Sequence, residues 1–236
     1  MPSTPSPAEQ SAPALTTLDP AGLADRGLLL ERRGDIAGAM ECYQAAITAA
    51  ERIGEHRALA IALRRMAVLH HHANEPALAR ELAERSHDVA VAAGDVIRAA
   101  EALNALAGFM IERGELEAAR ELFDRAASLG GADPSLKGRV EQNLGIIANV
   151  HGDWVEARRH YERSLAAFTE GRDERGCAIA YHNLGMVHAD HGDLTEAERY
   201  FEQSRAIASR LGDIRLEGLA RLNGAEVQVA GGKLDQ

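Results

Sequence analysis

Three asparagines at equivalent places along this chain are its strongest candidates for binding chemistry. Asn143, Asn183 and Asn223 follow one another at steps of 40 residues. A carboxamide both donates and accepts hydrogen bonds, so it can bind a peptide group whatever side chain that residue carries. The alternative is that these asparagines belong to the repeat itself and bond to a neighbouring helix or to water. The sequence leaves both interpretations open.

Further polar residues lie on or beside the same face of their units and complete the predicted peptide-binding set. They are Gln142, His182, Asn104, Arg64 and Arg65. We expect them to tune specificity.

The histidines do not form a recognisable metal site. His70, His71 and His72 are consecutive, and successive residues of a helix point about 100° apart, so the three cannot converge on one ion. His188 and His191 share a helical face, but one pair is not a coordination sphere. We therefore predict neither a metal nor another cofactor.

No group of residues suggests catalysis. Acidic residues fall at helix starts or beside arginines, as Glu156 does before Arg158, where solvated ion pairing is the ordinary explanation. The glycine pair at Gly130 lacks the strand and the following Lys-Ser/Thr of a phosphate-binding loop. We predict that the chain is not an enzyme and has no catalytic residues.

The elements that position these residues repeat along the chain. The turn residues are Gly34, Asn74, Gly114, Gly152, Gly192 and Gly232, at steps of 40, 40, 38, 40 and 40. The small residues seven places earlier are Gly27, Ala67, Ala107, Gly145, Gly185 and Ala225. The alanines five places later are Ala39, Ala79, Ala119, Ala157 and Ala197. Such a period indicates a solenoid of stacked supersecondary units.

Each unit is predicted to be a pair of helices separated by a Gly-Asp or similar turn. The first helices are predicted at 20–33, 56–72, 95–113, 135–151, 173–191 and 214–230, and the second helices at 36–52, 76–92, 116–129, 154–170 and 194–211. Four residues after the repeated alanine comes Tyr43, Ala83, Phe123, Tyr161 or Phe201. We expect Ala157 to be buried and Ala167 to be exposed.

This order of small residue, turn, alanine, aromatic and small residue resembles the tetratricopeptide repeat family over residues 21–236. The units lack the early Trp and terminal Pro of the 34-residue consensus and are similar to the 40-residue variety of kinesin light chains and bacterial regulators. The resemblance implies an all-α, right-handed superhelical solenoid of antiparallel helix pairs, with the first helices lining a concave groove. It also implies that the groove binds peptides or proteins and that the asparagines form a ladder along a ligand's main chain.

The chain is expected to divide into a leader and a repeat array. Residues 1–18 are rich in Pro, Ser and Ala, which predicts disorder. The array, 19–236, has units at about 21–54, 55–94, 95–132, 133–172 and 173–212 and a partial unit at 213–236. Since the partial unit stops before its second helix, we expect either that the chain is a fragment or that another body contacts and covers this end.

Charge and composition restrict the partners. A net charge of −10 and a predicted groove without a basic stripe argue against nucleic acid and anionic membranes, and favour a basic or neutral partner. No apolar run of about 18 residues and no export signal is present, so we predict a cytoplasmic protein. Arginine outnumbers lysine, which occurs only at Lys137 and Lys233, and this bias favours a bacterial origin.

The sequence thus predicts a non-enzymatic module that binds a peptide or partner protein in its concave groove. The alternative is a sensory or regulatory segment of a larger signalling or transcriptional protein whose effector domain lies beyond residue 236.

Overall fold

The computed structural model describes residues 19–232, so the predicted leader, residues 1–18, and residues 233–236 lie outside the described part. Within it there are eleven helices and no strand. They are α1 (Pro20–Arg32), α2 (Ile36–Ile53), α3 (His56–His72), α4 (Pro76–Ala92), α5 (Val96–Glu112), α6 (Leu116–Gly130), α7 (Pro134–Val150), α8 (Trp154–Glu170), α9 (Glu174–Asp190), α10 (Leu194–Leu211) and α11 (Ile214–Ala230). Each predicted helix end agrees with the structure to within one residue.

The turns inside the pairs explain this agreement. Gly34 has a φ of 81°, a left-handed conformation that glycine adopts without steric cost and that ends α1. Asp35 follows, and its Oδ1 accepts a hydrogen bond from the backbone N–H of Gly38 at 2.9 Å, which caps α2. In the second unit Asn74 takes the glycine's place at a φ of 62°, as asparagine tolerates this region.

The helices stack as antiparallel pairs in two layers. Each second helix packs on the first helices before and after it, and each first helix also contacts the next first helix along the stack. The odd-numbered helices therefore form the inner, concave layer and the even-numbered helices form the outer layer. The predicted all-α solenoid of antiparallel helix pairs is confirmed.

Glycines on the inner helices receive aromatic rings from the outer helices. A Cβ atom at Gly145 would lie 2.5 Å from the ring of Tyr161, and one at Gly185 would lie 2.7 Å from the ring of Phe201. Phe168 of α8 fits between two glycines in the same way: a Cβ would lie 2.6 Å from its ring at Gly138 and 2.3 Å from it at Gly176. A ring and a glycine thus set the close spacing of the two layers.

One expectation about burial was wrong. Ala157 is fully buried as expected, but Ala167 is also buried, with 3% of its surface exposed. The reason is that α8 packs against both α7 and α9, so two of its faces are covered.

The last described helix, α11, keeps part of its apolar surface uncovered. Leu219, Leu222 and Val229 are 42%, 58% and 62% exposed. None of the helices between residues 19 and 232 is both long and apolar enough to cross a membrane.

Candidate functional site

A cavity of about 550 Å³ opens on the concave side of the stack. Its walls come chiefly from the inner helices α1, α3, α5, α7 and α9, and the ring of Phe168 reaches it from the outer layer. Five of the eight predicted binding residues line this cavity, namely Arg64, Arg65, Asn104, Gln142 and Asn143. The other three, His182, Asn183 and Asn223, lie further along the stack and do not line it.

Two asparagines from neighbouring inner helices form a bonded pair at the cavity. Nδ2 of Asn143 on α7 donates to Oδ1 of Asn104 on α5 at 3.1 Å. Within residues 19–232, no protein partner binds the remaining polar atoms of this pair, Nδ2 of Asn104 and Oδ1 of Asn143. The pair therefore offers one free hydrogen-bond donor and one free acceptor.

The two later asparagines are held differently. Nδ2 of Asn223 donates to Sδ of Met186 at 2.9 Å and lies 3.4 Å from Nε2 of His182. Nδ2 of Asn183 is buried and has no hydrogen-bond partner among the described residues. Asn143 and Asn223 thus both contact the preceding inner helix, while Asn183 leaves a donor unused.

A buried carboxylate and three arginines form the most strongly charged part of the cavity. Glu101 has 7% of its side chain exposed; its Oε1 lies 2.6 Å from an Nη of Arg139, and its Oε2 lies 2.9 Å from Arg98 and 3.4 Å from Arg64. Burial by itself would raise the pKa of the Glu101 carboxyl, but the guanidinium groups of Arg64, Arg139 and Arg98 outweigh it and lower that pKa. Glu101 is therefore ionised at neutral pH.

Aromatic rings form the wall near the end of α3. The His71 ring stacks on Phe109 with 4.3 Å between centroids, and its Nε2 lies 2.9 Å from a carboxylate oxygen of Glu112. Burial lowers the pKa of His72, and the charge of Arg215 on α11 lowers it further. No group of three His, Cys, Asp or Glu side chains in the described part is arranged to hold a metal ion.

Comparison with known proteins identifies the repeat. The tetratricopeptide repeat family model matches residues 20–90 and 136–210. This chain belongs to the tetratricopeptide repeat family. Tetratricopeptide repeats are scaffolds for protein–protein interaction. A search of curated proteins found no significant match to this tetratricopeptide repeat chain.

Solved structures share the fold at low sequence identity. BtubC (BKLC) from P. vanneervenii has a TM-score of 0.63 and 21% identity over 87% of this chain and 85% of BtubC. A Rap protein complexed with Competence and Sporulation Factor has a TM-score of 0.67 and 15% identity over 90% of this chain and 66% of Rap. The quorum sensor NprR from B. thuringiensis, in its apo form, has a TM-score of 0.59 and 15% identity over 89% of this chain and 60% of NprR.

Sequence reasoning missed Glu101, Arg98 and Arg139 in this tetratricopeptide repeat groove. A signal for two of them was present: Glu101 and Arg139 each stand six residues before the small residue of their units, the place that Ile61 and Ile179 occupy in the flanking units. Opposite charges at one register position of successive inner helices predict a contact across the stack.

The expectation of a groove without basic character was also wrong. The arginines that line the cavity are Arg32, Arg64, Arg65, Arg139 and Arg175. They were overlooked because they are dispersed along the chain, and only the stacking of the repeats brings them to one surface. Two of them have acidic partners outside the Glu101 cluster: Arg65 lies 3.8 Å from Glu31, and Arg175 lies 2.8 Å from Asp213.

Proposed function

We propose that this tetratricopeptide repeat chain is a non-enzymatic module that binds an extended peptide segment of a partner protein in its concave cavity. The observation that carries the proposal is the Asn104–Asn143 pair, which keeps one donor and one acceptor free beside the cavity. A peptide group matches this pair, because its carbonyl accepts from Nδ2 of Asn104 and its N–H donates to Oδ1 of Asn143.

The size of the cavity supports a ligand of a few residues. Its volume of about 550 Å³ lies within the range of about 300–1,000 Å³ that is usual for binding sites. We further propose that Asn183 and Asn223 continue the contact as a ladder, since each occupies the position of Asn143 on the next inner helix. In this arrangement Arg64, Arg65, Gln142 and His182 select the ligand's side chains.

The test is titration of a partner, captured from the native organism and identified, against asparagine variants. The double variant Asn104→Ala and Asn143→Ala removes two hydrogen bonds, each worth about 0.5–1.5 kcal/mol, so affinity should fall about 5- to 150-fold. Gln44→Ala serves as the control, because Gln44 is exposed on the outer helix α2 and should leave affinity unchanged.

Separate titrations with Asn183→Ala and Asn223→Ala measure how far the ladder extends, and melting curves confirm that each variant is folded. If the folded double variant binds the partner as tightly as the wild type, the proposed site is wrong.

A second candidate function is that of a sensory or regulatory segment in a larger cytoplasmic signalling protein. Two structurally similar proteins favour it: the Rap protein was crystallised with Competence and Sporulation Factor, and NprR is described as a quorum sensor. The exposed leucines Leu219 and Leu222 of α11 would then form a contact with a following domain. The full open reading frame tests this candidate: an effector domain encoded after residue 236 supports it, and a stop codon at that point contradicts it.

A further inference from the structure

The charges around Glu101 do not balance. Arg64, Arg98 and Arg139 all contact the single carboxylate of Glu101, which leaves two positive charges without a counterion in that cluster. The nearby acids are engaged elsewhere, since Glu112 contacts His71 and the side chain of Asp173 caps α9. A half-buried excess of positive charge is costly unless an anion accompanies it.

Arg64 is the least engaged of the three arginines. It lies 3.4 Å from Glu101, whereas Arg98 and Arg139 approach to 2.9 and 2.6 Å. Its side chain is only 13% exposed. Burial lowers the pKa of Arg64 to about 10, and the neighbouring arginines lower it while Glu101 raises it. A guanidinium has five N–H donors, and within the described part Glu101 is the only partner of those on Arg64.

The free donor of the asparagine pair lies on the same face of α5 as this cluster. Asn104 follows Glu101 by three residues, so the two side chains are neighbours on the helix surface, and both line the cavity together with Arg64. A guanidinium and an amide N–H beside one another form a typical binding site for a carboxylate.

We propose that the bound peptide is acidic and places a carboxylate against Arg64 and Nδ2 of Asn104. This inference rests on the proposed function and specifies its ligand. It opposes the expectation from the net charge of −10, because exposed charges beyond about 10 Å are largely screened at physiological salt whereas partly buried charges are not.

A nucleic acid is the less suitable anion. Its phosphates repeat along the strand, so a long binding site needs a continuous basic surface. Here the excess positive charge is confined to one cluster on α3, α5 and α7, and the chain as a whole repels a polyanion. A single carboxylate on a peptide fits both features.

The experiment selects ligands from a random dodecapeptide library displayed on phage, with the full chain as bait. The enriched peptides are synthesised and titrated by calorimetry. We expect acidic sequences, with Arg64→Gln lowering their affinity about 10- to 100-fold, the range for a hydrogen bond to a charged group. Arg64→Lys keeps the charge and should retain part of the affinity, and affinity should fall with added salt.

Arg205→Gln is the matched control, because Arg205 forms an exposed ion pair with Glu202 on the outer helix α10. Its affinity for the selected peptides should equal that of the wild type. Two peptide variants then distinguish the sources of the carboxylate. Amidation of the C-terminus weakens binding if the terminal carboxylate is recognised, and Asp→Asn or Glu→Gln weakens it if a side chain is recognised.

The outcomes separate this inference from the proposed function. If neutral or basic peptides are enriched and Asn143→Ala weakens them while a folded Arg64→Gln does not, the acidic ligand is wrong and the peptide groove stands. If no peptide binds, or Asn143→Ala and Arg64→Gln are both without effect in folded protein, both proposals fail. Displacement of the selected peptides by a single-stranded oligonucleotide at equal concentration would also overturn the acidic-peptide assignment.

Discussion

The concave layer has two parts with different chemistry on the same scaffold. On α3, α5 and α7 the exposed polar residues are charged and contact one another through Glu101. On α9 and α11 the corresponding places carry amides and an imidazole, of which Asn223 bonds to Met186 while Asn183 has an unused donor. The charged part depends on the presence of every member, since each removal leaves a buried charge unbalanced. The amide part tolerates removal of single members.

Glu101→Gln should give the largest effect on stability. The change leaves three guanidinium groups close together without a carboxylate, and breaking a buried ion pair costs about 3 kcal/mol or more. Chemical denaturation at pH 7 measures the loss. The control is Glu84→Gln, since Glu84 forms an exposed pair with Arg80 and should change the free energy of unfolding by less than about 0.5 kcal/mol. Equal losses for the two variants would contradict the difference between buried and exposed charge.

The acid sensitivity of the same cluster should be the next largest effect. The folded pKa of Glu101 is lowered, so its stabilising contribution is present above the unfolded value, about 4.5, and is lost as the pH falls through the folded pKa. The melting temperature of the wild type should therefore fall towards that of Glu101→Gln between about pH 5 and pH 3. A constant gap between the two proteins across this range would show that Glu101 does not titrate as inferred.

The smallest effects should come from the amides, and they should differ between two equivalent asparagines. Asn143→Ala removes the bond to Asn104 and should destabilise the fold by about 0.5–1.5 kcal/mol. Asn183→Ala removes a buried donor that has no partner and should leave stability unchanged or slightly raised. Thermal melts of both variants decide the matter, and a greater loss in Asn183→Ala would reverse the assignment of which asparagine holds the repeats together.

Features with a local cause were predictable from the sequence. A left-handed glycine followed by a capping aspartate ends one helix and starts the next within four residues, so Gly34 and Asp35 fix a boundary without reference to the rest of the molecule. The register of the repeats then assigned Arg64, Asn104 and Asn143 to the inner helices. These residues do line the cavity.

Features that depend on the packing of several helices were not predictable in the same way. Glu101 reads in the sequence as one acidic residue of an amphipathic helix, and only the approach of α3 and α7 buries it among arginines. Ala167 was expected to be exposed because it lies away from the repeated alanine series, yet the following helix α9 covers it. In both cases the deciding partner is about 30–40 residues distant in the sequence or belongs to another unit.

The position of Phe168 links the two surfaces of the solenoid mechanically. Its ring belongs to an outer helix, reaches the cavity and is confined laterally by Gly138 and Gly176. Since the ring has no room to swing aside, a ligand that presses on it must displace α8 as a rigid lever. Occupancy of the interior is thereby converted into a movement of the convex surface, where a second protein can detect it without touching the ligand.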